Sequence, residues 1–77
     1  VNMPPKDRLL NELLKHGDVY MGWQQLPNGT HIRTYHLHNS PLAEWHGDHW
    51  RVADAVYPLG SEDQVALRLA THNHPTT

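Results

Sequence analysis

Asp63-Gln64-Val65-Ala66-Leu67-Arg68-Leu69-Ala70 is the stretch on which the architecture turns. Read with a period of two, Val65, Leu67 and Leu69 line one side of a strand. Read as a helix, Glu62 to Leu69 is rich in good helix formers, Glu, Gln, Ala, Leu and Arg. The alternation favours the strand, which makes Asp63 to Ala70 the last strand of a sheet. Pro58-Leu59-Gly60-Ser61 before it is a turn.

Upstream of that turn, His49 to Tyr57 alternates as well, with Trp50, Val52 and Val56 on one side and Arg51, Ala53, Ala55 and Tyr57 on the other. Between Asn39 and Asp48 the alternation breaks. Ser40-Pro41 resembles an N-cap followed by the first helical position, so Leu42 to Trp45 reads as one helical turn. Asp18 to Leu26 and Thr30 to His38 are strands joined at Pro27-Asn28-Gly29, a hairpin signal because Asn-Gly accepts positive φ. Met3 to Gly17 reads as a helix. Pro4 and Pro5 suit its start, Leu9, Leu10, Leu13 and Leu14 form one apolar stripe, and Gly17 suits its end. The expected fold is therefore α+β: one N-terminal helix packed on a four-stranded antiparallel sheet, in the order α-β-β-turn-β-β. Such a sheet needs only one covered face.

The 77 residues make one small domain, 1–77, whose polar segment 71–77 is expected to fray. A core of this size rarely supplies more than about 3–5 kcal/mol, so metal or self-association is a natural support. Disulfides are excluded, because the chain has no cysteine. The net charge is −2 with histidine neutral, from six Lys and Arg against eight Asp and Glu. That balance lacks the basic stripe of a dedicated DNA binder. No apolar run approaches the roughly 20 residues that span a bilayer, so no membrane partner is expected. No signal-peptide pattern is visible, and the expected location is the cytoplasm.

Eight histidines are the compositional extreme, and protonating all of them would carry the net charge up by eight units, from −2 to +6. Three close pairs occur: His36 and His38, His46 and His49, His72 and His74. Residues i and i+2 of a strand share a face, so His36 and His38 can aim at one ion, and His46 and His49 flank a turn. Imidazole nitrogens suit zinc, copper or nickel. Glu44 or Asp48 can replace one of them. The spacing matches no zinc finger and no H-E-x-x-H, and ordinary strand and turn histidines explain the same residues.

The face opposite the helix provides a second candidate. Strand parity gives it Tyr20, Gly22 and Gln24, then His31, Arg33 and Tyr35, then Arg51, Ala53, Ala55 and Tyr57, then Gln64, Ala66, Arg68 and Ala70. Tyr20, Arg33, Tyr35, Arg51, Tyr57 and Arg68 would form a Tyr/Arg surface, and these residue types dominate binding hot spots. Trp23, Trp45 and Trp50 are expected to pack the core and the middle loop.

The leading functional expectation is a non-enzymatic binding module. It self-associates as a homodimer and engages a macromolecular partner, a protein, through the Tyr/Arg face, with no cofactor. The alternative is a metal protein held by His36, His38, His46 and His49, with zinc first and hydrolysis as its conceivable chemistry. Single-stranded nucleic acid is a third partner class, disfavoured by the negative net charge.

Overall fold

The computed structural model describes residues 3–73. The class is α+β, with a single antiparallel sheet, as the sequence predicts. The sheet has five strands, however, and a second helix closes the described chain. The elements are α1 (Pro5–Leu14), β1 (Tyr20–Gln25), β2 (His31–His36), β3 (Ala43–Trp45), β4 (His49–Val52), β5 (Ala55–Pro58) and α2 (Glu62–Asn73). The strands lie in chain order, β1-β2-β3-β4-β5, each antiparallel to the next.

Helix α1 begins where the prolines place it, with Pro4 at the N-cap, Pro5 as the first helical residue and Asp7 in the first turn. Leu9 and Leu13 are fully buried, whereas Leu14 is exposed. The expected strand Asp63–Ala70 is helical and belongs to α2. Val65, Ala66, Leu69 and Ala70 are buried, at the i, i+1, i+4, i+5 spacing of the α1 leucines. Leu67, the residue that completed the alternation, is 55% exposed. Residues 71–73 are the last of α2, and 74–77, with His74, lie outside the described residues.

The middle of the chain departs from the expectation in two places. Leu42 to Trp45 does not start a helix. The Ser40 hydroxyl accepts the Leu37 N–H at 2.8 Å, reaching backward where an N-cap would reach forward. Ala43–Trp45 then pairs with both β2 and β4. The expected strand His49–Tyr57 is folded in two at Ala53-Asp54, with Val52 opposite Ala55. A two-residue turn shifts the parity, so Trp50 and Val52 share a face with Ala55 and Tyr57 while Val56 is 63% exposed on the other.

Ala53 occupies the first central position of this turn with φ +56°, a region where an L side chain is strained and glycine is not. Ala53→Gly is expected to stabilise the protein by about 0.5–1 kcal/mol, after the extra entropy of an unfolded glycine is counted. Thermal melting should show an increase of about 2–8 °C; an unchanged or lower Tm would mean that the turn relaxes at no cost.

Both helices cover one face of the sheet. The core is Leu9 and Leu13 from α1, Val65, Ala66, Leu69 and Ala70 from α2, Tyr35, Ala43, Trp50 and Val52 from the strands, and Leu37 from the β2–β3 loop. Trp50 is its centre, fully buried, edge-on to Tyr35 at 5.9 Å and tilted against Trp45 at 4.6 Å between ring centroids. Its indole N–H donates to Glu62 Oε2 at 3.0 Å.

Among the described residues, Glu62 is the one charged side chain that is buried, 1% exposed at the start of α2. The Gly60 N–H donates to the same Oε2 at 3.2 Å, and Arg8 Nε stands 3.6 Å from Oε1. One carboxylate thereby ties α1, β4 and the β5–α2 loop together, at the end of α2 where the helix dipole favours negative charge.

Burial pushes the Tyr35 phenol above its ordinary pKa; the nearby Arg33 guanidinium opposes the rise and Asp7 adds to it. The neutral phenol is thus the native form. Its contribution to stability is complete below about pH 10, the unfolded value, and is lost as the pH rises through the higher folded value. The urea midpoint should fall between pH 9 and pH 11 by more in the wild type than in Tyr35→Phe. Equal falls would show that Tyr35 ionises without penalty.

Candidate functional site

The β1–β2 hairpin decides which side chains share a face. Its turn is a three-residue loop: the Leu26 N–H donates to the Thr30 carbonyl at 2.7 Å and the Gly29 N–H to the Leu26 carbonyl at 2.9 Å. Gly29, at φ +89°, takes the left-handed position of this loop type. Asn28 instead accepts the Thr30 N–H through Oδ1 at 3.0 Å. A two-residue Asn-Gly turn would have set Tyr20 on a face with Arg33 and Tyr35. The extra loop residue pairs Tyr20 with His36, Met21 with Tyr35 and Trp23 with Arg33, moving β2 to the opposite parity.

The expected Tyr/Arg surface is therefore divided. Tyr20 and Arg51 lie on the face away from the helices. Tyr35 is 4% exposed in the core. Tyr57 is on the helix side, where its hydroxyl accepts Arg68 Nη1 at 2.9 Å and links β5 to α2. Arg68 is on α2, not on a strand. Arg33 is on the helix side as well, with its guanidinium carbon 4.1 Å from the centroid of the Trp23 ring.

The histidines are divided too. His36 stacks on Tyr20, 5.3 Å between centroids, and its Nδ1 is 2.9 Å from the Leu37 carbonyl. His38 is exposed in the β2–β3 loop. His46 and His49 flank the two-residue β3–β4 turn, their rings 4.8 Å apart and 4° from parallel. His46 Nε2 lies 3.0 Å from Glu44 Oε1, and His49 Nδ1 lies 2.7 Å from Asp48 Oδ1. Thr34 is opposite Glu44. Extending that register sets His46 beside Ile32, four residues along β2 from His36, or about 13 Å. Among the described residues, no group of three His, Asp or Glu is placed to hold one metal ion.

The structure instead exposes an apolar and cationic surface at the overhanging end of the sheet. Met21 and Trp23 face the helix side, but among the described residues no β1 side chain joins the core, because neither helix covers β1. Trp23 is 63% exposed and Met21 56%. Trp23 was expected in the core on its periodicity, which is that of a core strand; nothing in the local pattern shows how far the helices reach. Arg33, half-buried, holds the Trp23 ring from the neighbouring strand. β1 itself, Tyr20-Met21-Gly22-Trp23-Gln24-Gln25, carries no charge and forms one edge of the sheet.

Among the described residues, no helix is long and apolar enough to cross a membrane. No protein-family model, curated protein or solved structure matches the chain.

Proposed function

We propose that this chain is a small non-enzymatic binding module, which self-associates and engages a protein partner through the exposed side of the β1–β2 hairpin. The observation that carries this reading is the solvent-facing Trp23, ordered under the Arg33 guanidinium beside Met21. Tryptophan and arginine dominate binding hot spots, and methionine adapts to the shape of a partner. A ring already held by a cation loses less freedom on binding than a free one. The cation–π contact is worth about 0.5–1 kcal/mol at an exposed site, too little to be the sole purpose of an exposed indole in a small domain. A protein fits better than nucleic acid, because β1 has no charge and the chain is net negative at neutral pH.

A photo-crosslinking amino acid at position 23, compared with one at position 56, tests this surface. Val56 is exposed to the same degree on the opposite face. In purified protein at micromolar concentration, chain-to-chain adducts should form from position 23 and hardly from 56. Adducts from 56 alone would move the binding surface to the open face, and adducts from neither would remove self-association from the reading.

A further inference from the structure

We infer that β1 pairs antiparallel with β1 of a second copy, centred on Trp23, to join two five-stranded sheets into one. The inference rests on the hairpin reading above and names its partner.

The backbone carries the argument. The bond from the Leu26 N–H to the Thr30 carbonyl marks Leu26 as a residue whose polar groups face β2. In an antiparallel ladder this alternates, so Gln24, Gly22 and Tyr20 also face β2. Met21, Trp23 and Gln25 then each turn one N–H and one C=O away from the sheet. Among the described residues, no hydrogen bond takes them up. Natural edge strands of this length are blunted by charge, proline or a bulge; Tyr20–Gln25 has none of these.

The opposite edge is closed by the same logic. Val52 and Ala55 flank the two-residue turn and face each other, so on β5 only Val56 and Pro58 point outward. Pro58 has no N–H, and its carbonyl accepts Ser61 N–H at 3.2 Å. Val56 is left as the sole outward donor of β5. The free edge is therefore β1.

A two-fold axis through Trp23 satisfies β1 as a whole. Trp23 would pair with its symmetry mate and Met21 with Gln25 of the second copy, giving about six hydrogen bonds in the alternating pattern of an antiparallel ladder. Moving the centre to Gln25 would bring Trp23 opposite Pro27, which cannot donate. On the helix side the two indoles would lie side by side across the axis, each flanked by its own Arg33. The two β2 strands would be three strand spacings apart, about 14 Å. That exceeds the screening length of about 8–10 Å at moderate salt, so the arginines do not oppose the pairing. On the other side Gly22 would meet Gln24, leaving room at the crossing. No charged side chain of β1 would be buried.

The chain has no native cysteine, which permits a register test. Met21→Cys and Gln25→Cys are oxidised separately and as a mixture, beside sedimentation of the wild type and of Gln25→Pro. Proline at 25 removes an outward N–H and leaves Met21, Trp23 and Arg33 in place; near-UV circular dichroism checks that the fold survives. A wild-type dimer is expected, with disulfide-linked dimer forming in the mixture and hardly from either variant alone. Gln25→Pro should weaken association at least about tenfold. Cross-linking that is equal in the separate samples overturns the register. A wild type that stays monomeric at millimolar concentration overturns the pairing. A dimer that survives Gln25→Pro but dissociates with Trp23→Ala also overturns the pairing, while leaving the hairpin surface as the binding site.

Discussion

Glu62→Ala is expected to unfold this protein at 25 °C. The carboxylate is 1% exposed and accepts the Trp50 indole N–H at 3.0 Å and the Gly60 N–H at 3.2 Å. Truncation leaves both donors without their acceptor, one of them in the centre of the core, and opens a cavity. Removing one member of a buried charged network costs about 3–5 kcal/mol. A core of this size supplies about that much in total. The Arg8 contact contributes the smaller share, because at 3.6 Å it is too long for a hydrogen bond and Arg8 is half in solvent. Glu62→Gln keeps an oxygen for Trp50 while losing the charge, and should cost about 1–2 kcal/mol. Urea titration followed by tryptophan fluorescence ranks the three proteins. Equal midpoints for wild type and Glu62→Ala would sink the assignment of Glu62 as the tie between the helices and the sheet.

Trp50→Ala and Trp23→Ala make the same chemical change with opposite results. Trp50 is fully buried, in contact with Tyr35 and Trp45. Its removal should cost about 3–5 kcal/mol, again the whole stability of a small domain. Trp23 is 63% exposed and its main partner is the Arg33 guanidinium. Its removal should cost about 0.5–1 kcal/mol, measured at sub-micromolar concentration so that association does not enter. Far-UV circular dichroism against temperature separates the two. A large loss for Trp23→Ala under those conditions would show that the ring supports the fold of one chain, and the binding reading would lose its carrying observation.

What the sequence determined by itself is local. The α1 helix is legible from Pro4-Pro5 and the paired leucines, because its start and its stripe are local, although it ends at Leu14 with Lys15 as C-cap, short of the expected end at Gly17. The hairpin is legible from Pro27-Asn28-Gly29, and the antiparallel sheet from strands linked by short turns. The polar histidine pairs are visible too, but a pair within one segment says nothing of its distance from another. Three decisions belonged to tertiary structure. Val65, Leu67 and Leu69 alternate as in a strand, and only the shared core with the sheet and α1 decides for the helix, which buries Val65, Ala66, Leu69 and Ala70 together. The hairpin loop closes with three residues instead of two, and this single step of register sent Tyr35 into the core and Arg33 onto Trp23. Last, the reach of two short helices left β1 uncovered. Periodicity tells which side of a strand is apolar, but whether anything packs against that side depends on the size and placement of elements far away in the chain. That is why Trp23, which has the spacing of a core residue, stands in solvent.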